Sequence, residues 1–199
     1  MSQALTPQPP DPPAETDLGP DAIIRIWHED LCGDPDDRRY RGNRRDRAAL
    51  RRAQKADDAY DVVAFHILRG RLIDKGGWRR HSDDVFARVA IALAPIDRDA
   101  VSEEPRYRLG IGRALGRACA EKEGDKPRVS EDRVRLMLNT DNPDHFLRLL
   151  RGCIGLLKRG AECVAPVVDI AEVMAAWHYP QSRASVRRRI FIGYFENLV

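Results

Sequence analysis

Asn142 to Arg159 reads NPDHFLRLLRGCIGLLKR. Asparagine followed by proline is a good helix opening, because proline at the first helical position loses no hydrogen bond. Phe146, Leu149, Leu150, Cys153, Ile154 and Leu157 recur at spacings of three and four, so they share the inner face of one helix running to about Arg159. Arg148, Arg151, Lys158 and Arg159 line its polar side. An apolar stripe backed by arginines is the unit that recurs along this chain.

Working outward, Asp169 with Glu172 three residues on has the form of a capping box. It is expected to open a helix carrying Ile170, Val173, Met174 and Trp177, followed by a last helix carrying Val186, Ile190, Tyr194 and Phe195. Upstream, Ser130 caps a short helix with Val134, Met137 and Leu138 inside, and Ile111, Ala114, Leu115 and Ala118 share a stripe. Val85, Phe86, Val89, Ala90 and Leu93 form another stripe that Pro95 ends, and residues 96–107 read as an exposed charged loop. Tyr60, Val63, Ala64, Ile67 and Leu68 give a helix broken at Gly76–Gly77. Asn43 or Asp46 caps a helix through Gln54, and Ile23, Ile24, Trp27 and Leu31 form a first helix from Asp21. The only strand candidate, Val164 to Val168, is interrupted by Pro166. The expected fold is all-α: two packed helical bundles with about eight to nine helices. A proline-rich tail expected to be disordered occupies 1–20, an N-terminal lobe 21–96 and a C-terminal lobe 97–199.

The chain has 199 residues, 43% hydrophobic and 33% charged. No stretch of about 18 apolar residues occurs, so no membrane span is expected. The start, MSQALTPQPPDPP, lacks a basic end followed by an apolar run, so the expectation is a cytoplasmic protein without a signal peptide. The net charge of +3 hides an asymmetry. Residues 1–37 hold nine acids and one arginine, while the other 162 hold 33 Lys+Arg against 22 Asp+Glu. A body this basic suggests a polyanionic partner, although a solvated helical surface has the same composition.

Little points to catalysis. Gly110 to Gly116, GIGRALG, is one residue too long for a dinucleotide fingerprint and follows no strand. It reads better as a helix with small residues where another helix crosses closely. The five histidines make no H-E-x-x-H pair, and Cys32, Cys119, Cys153 and Cys163 match neither a zinc site nor a disulfide scaffold. Carboxylates interleaved with arginines usually mean solvated ion pairs. The expectation is no enzyme, no metal and no cofactor.

Arginine is the distinctive residue. Eight fall between Arg38 and Arg52: Arg38, Arg39, Arg41, Arg44, Arg45, Arg47, Arg51 and Arg52. Arg47 and Arg51 project from one side of the second helix, and Arg44 lies about two turns from Arg51. Arg113 and Arg117, Arg148 and Arg151, and Arg183, Arg187 and Arg188 repeat the theme. Guanidinium forks match phosphate oxygens and never titrate. Basic rows on four helices favour contact with a nucleic-acid backbone. Only 13 aromatic residues exist, and Trp27, Phe86, Phe146, Trp177 and Phe195 fall in core patterns, so a base-stacking platform is not expected.

Several segments, in order, resemble the CasB family, the small subunit of the type I-E CRISPR Cascade surveillance complex. They are NRRDRAALRRA (43–53), GGWRRHSDDVFAR (76–88), IGRALGRA (111–118), RVSEDRVRLML (128–138), HFLRLLR (145–151) and VDIAEVMAAW (168–177). The resemblance spans about residues 21–196. It implies an all-α, non-catalytic subunit that sits as two copies among the other Cascade subunits. There it helps hold the guide RNA–target DNA duplex and the displaced strand. It places Arg51, Arg52, Arg80, Arg113, Arg133, Arg148 and Arg183 in nucleic-acid-facing motifs. With the rows above, the candidate contacts become Arg44, Arg45, Arg47, Arg51, Arg52, Arg80, Arg113, Arg117, Arg133, Arg148, Arg151, Arg183 and Arg187. Arg113, Arg133 and Arg148 are expected to converge on one groove, unless each pairs locally with an acid such as Asp132 or Asp144. A helical protein–protein scaffold and a helix-turn-helix regulator remain as competing readings.

Overall fold

A computed structural model describes residues 18–33, 42–100, 110–123, 126–159 and 162–196. Among them lie nine α-helices: α1 (Pro20–Cys32), α2 (Arg44–Arg52), α3 (Val63–Asp74), α4 (Asp83–Leu93), α5 (Ile111–Ala120), α6 (Glu131–Leu138), α7 (Pro143–Ile154), α8 (Val167–His178) and α9 (Pro180–Phe195). The all-α expectation holds. Residues 1–17, the loop around Arg38, Arg39 and Arg41, and most of the expected loop over 96–107 lie outside the described residues. Leu18 already packs on the core, and Pro20 opens α1.

Helix α4 is the axis. Two aspartates sit at its positive end, where the helix dipole favours them, and every residue from Val85 to Ala94 is buried. A helix buried on every side needs neighbours on every side. Here α3, α7 and especially α8 supply them. One continuous set of buried side chains therefore runs through both halves of the chain.

Three sequence expectations shift. The α3 stripe is rotated: Val63 and Ile67 are 61% and 43% exposed, while Phe65, Leu68 and Leu72 are buried. The Ala64 amide donates to the Asp46 carboxylate and its carbonyl accepts from Trp27 Nε1, which turns that side of α3 inward. The strand is Glu162–Ala165 rather than Val164 to Val168, because Pro166 ends the ladder and caps α8 instead. Numbered β5, it lies between β1 (Arg98–Asp99), to which it runs parallel, and β4 (Lys158–Arg159), to which it runs antiparallel. β2 (Lys122–Glu123) and β3 (Lys126–Pro127) form a separate ribbon.

Helix α8 begins at Val167, so Asp169 is inside its first turn and forms no capping box there. Its carboxylate accepts instead from the Ile111 amide at 2.6 Å, capping α5 from across the fold. Phe195 is 40% exposed, whereas Tyr194 is buried.

The small residues of α5 do mark a close crossing. A methyl at Gly112 would collide with the Ile190 carbonyl of α9. Backbone cannot yield as a flexible side chain does. Gly112→Ala is expected to destabilise by about 1–3 kcal/mol, as overpacking does. Gly70→Ala, with nothing within 4 Å of the added methyl, is expected to gain about 0.5–1 kcal/mol of helix propensity. Thermal melting of the two variants side by side measures both.

Candidate nucleic-acid interface

Helix α2 has two faces of opposite character. Asn43 caps it through the Asp46 amide at 3.1 Å. Its inner face carries Leu50, the buried Asp46, and Arg47. Arg47 does not reach solvent partners: it donates to the Ala94 and Ile96 carbonyls at 3.0 and 2.8 Å and to Asp97 at 2.7 Å. Its outer face carries Arg44, Arg45, Arg51 and Arg52, all exposed, and none of these guanidinium groups has a partner among the described residues.

Helix α7 is the second basic element. Asn142 caps it through the Asp144 and His145 amides at 3.0 and 2.9 Å, and Phe146, Leu147, Leu150, Cys153 and Ile154 fill its inner face. The helix ends at Ile154, short of Arg159, because β4 follows. Arg148 is exposed, with no guanidinium partner among the described residues. Arg151 is half-buried and donates to the carbonyls of Arg51 and Ala53 at the end of α2. Burial, then the neighbouring Arg51 charge, lower its pKa.

The other candidates divide in the same way. Arg80, Arg117 and Arg133 are exposed without a guanidinium partner among the described residues. Arg113 is ion-paired to Glu196 at 2.9 Å. Arg183 donates to the Trp177 carbonyl at 2.9 Å, and Arg187 to the Leu138 carbonyl at 2.6 Å and to Asp141 at 2.7 Å. Arg47, Arg151, Arg183 and Arg187 thus hold backbone carbonyls of the fold itself. Of the three arginines expected to share a groove, Arg133 and Arg148 stand on the packed pair α6–α7, whereas Arg113 is on α5 against α9. Asp144 is no partner of theirs; it accepts from Arg88.

Residues 46–195 match the family model of CRISPR-associated protein Cse2. The chain belongs to the Cse2 family. Cse2, also called CasB, is the small subunit of type I-E Cascade. In fold the chain resembles a chain of the crystal structure of E. coli Cascade bound to a PAM-containing dsDNA target. The TM-score is 0.52 at 20% identity, covering 88% of this chain and 96% of that one. No curated protein matches. Among the described residues of this Cse2-family chain, no helix is long and apolar enough to cross a membrane.

Besides Asp46, two polar residues are buried: Arg88, which the sequence does not mark, and His28, whose place beside an apolar helix face suggests a boundary position. Arg88 sits in the apolar run of α4 and binds Asp144, Asp84 and His178. His28 on α1 is buried, with Nε2 donating to the Ile96 carbonyl at 3.1 Å, the same carbonyl that Arg47 holds. Burial pushes the His28 pKa down to about 4 from 6.5, with the Arg47 charge adding to the effect. His28 is therefore neutral when folded, while the unfolded chain takes up a proton below about pH 6.5. Its contribution is complete above that pH and is lost as pH falls toward 4. Linkage gives a loss of about 2 kcal/mol between pH 7 and 5. His81 and His178, lowered chiefly by burial, act in the same direction. Thermal melts at the two pH values measure the loss, and His28→Gln, which retains a donor, should shrink it.

Proposed function

We propose that this Cse2-family subunit is a non-catalytic holder of nucleic acid. Within Cascade it grips the phosphate backbone of the guide RNA–target DNA duplex and of the displaced strand, in the cytoplasm, as part of antiviral defence. The observation that carries the reading is the outer face of α2. Four exposed arginines stand there, none of them ion-paired to an acid among the described residues, and Arg148 on α7 is likewise exposed and without an ion pair among them. A merely solvated face gains from interleaved opposite charges; an uncompensated one gains from an external polyanion. Among the described residues Phe195 is the one exposed large aromatic, so phosphate contact without base readout fits better than stacking. Contacts with other Cascade subunits, and with a second copy of the chain, belong to the same reading. Val63 and Ile67 on α3 and Leu136, Ile192 and Phe195 on α6 and α9 offer exposed apolar surface for them.

The test is binding of the free subunit to DNA and RNA of random sequence across a salt series. Four or five neutralised phosphates give a loss of roughly 10²–10³ in affinity between about 50 and 200 mM salt. Salt-insensitive binding would defeat the proposal. Strong preference for one short sequence would favour the regulator instead.

A further inference from the structure

Helix α2 ends at Arg52, and its last carbonyls have no partner within the helix. A cation at such an end is favoured by the helix dipole. The cation here comes from the other half of the chain: Arg151, 100 and 98 residues from the Arg51 and Ala53 carbonyls it binds. One planar fork spans both acceptors. No carboxylate among the described residues pairs with Arg151, so its charge is held in place without being cancelled.

This contact fixes what lies around it. Arg148 is one turn earlier on α7, on the side that meets the end of α2. Arg51 and Arg52 form the last turn of α2. The other end of α7 is pinned separately, where Asp144 accepts from the buried Arg88 at 2.7 Å. Exposed Arg51 and Arg52 thus flank the contact on α2, and exposed Arg148 lies one turn from it on α7.

We propose that Arg151 is a positioning residue that locks α2 to α7, so that Arg51 and Arg52 from one half of the chain and Arg148 from the other bind one stretch of phosphodiester backbone. The inference rests on the nucleic-acid reading above and adds the seam and its clamp. Arg151 acts through the end of α2 rather than by touching phosphate. Lysine in its place keeps the charge, but a single ammonium cannot reproduce the fork across two carbonyls.

The experiment is a double-mutant cycle read as affinity for a short fluorescein-labelled DNA duplex of random sequence, with thermal melting alongside. Arg52→Gln and Arg148→Gln are made singly and together, in the native chain and in chains carrying Arg151→Gln or Arg151→Lys. In the native background the two substitutions should couple by about threefold to tenfold, as groups acting on one ligand do. In both Arg151 backgrounds the coupling should vanish. Additive effects in the native chain, or native affinity and coupling restored by Arg151→Lys, would overturn the proposal. The native-background cycle substitutes only exposed side chains, so it decides the seam even if Arg151→Gln does not fold, and Arg151→Lys, which keeps the charge, then reads the clamp. A native chain whose binding ignores salt would instead remove the nucleic-acid reading itself, and the seam with it.

Discussion

Arg88→Ala is expected to destabilise the protein by about 3 kcal/mol. The side chain is 7% exposed, and all three guanidinium nitrogens are engaged. Nε and Nη2 meet the two oxygens of Asp144 at 2.7 and 3.4 Å, Nη2 also reaches Asp84 at 3.3 Å, and Nη1 lies 3.1 Å from His178 Nδ1. Removing one member of a buried ionic cluster usually costs about 3–5 kcal/mol, because the survivors are left uncompensated. Asp144 and Asp84 keep 32% and 43% of their surface in water, which softens that penalty and points to the lower end.

The cluster also sets a tautomer. Arginine only donates, so His178 Nδ1 accepts, and the imidazole proton sits on Nε2, facing Ser82 Oγ at 3.4 Å. Burial and then the Arg88 charge hold the His178 pKa down. Arg88→Met combined with Asp144→Asn should recover part of the loss, since a neutral pair leaves no buried charge seeking a partner. Denaturant titration of wild type, single and double variants measures this. A single variant as stable as wild type would mean that the cluster contributes nothing net.

Local signals were legible where the cause is local. Asn43, Ser130 and Asn142 cap the helices their spacing suggests, and Trp27 and Trp177 lie in the core as their stripes require. The small residues of GIGRALG were readable as a close crossing because only another backbone requires them, and α9 supplies it. What stayed hidden depends on partners distant in the chain. Asp169 has the spacing of a local cap, yet its carboxylate accepts from an amide 58 residues away. Arg47, Arg151, Arg183 and Arg187 look like their exposed neighbours in sequence. Only the folded chain shows that carbonyls of other segments take their donors. Arg88 left a trace, being one charge inside an apolar run with Asp84 four residues before it. Asp144 and His178, which make it a cluster, leave none.

Trp27→Ala is expected to cost about 3–5 kcal/mol, the range for truncating a buried aromatic. The indole is almost fully buried on α1, which packs against α2, α3 and α8. Truncation leaves a cavity in the buried core, too enclosed to collapse cheaply. The polar end adds a second term, because Nε1 donates to the Ala64 carbonyl at 2.8 Å and holds the phase of α3. Trp27→Phe separates the two. It keeps most of the ring volume and removes the donor, so it should cost about 1 kcal/mol for the hydrogen bond plus a smaller packing loss. Both variants should bind DNA as wild type does at temperatures where they are folded, because Trp27 lies on a different helix from the exposed arginines of α2 and α7. A Trp27→Ala variant that melted like wild type but bound DNA more weakly would reverse the assignment and make Trp27 a stacking residue. Its burial and its bond to Ala64 argue against that outcome.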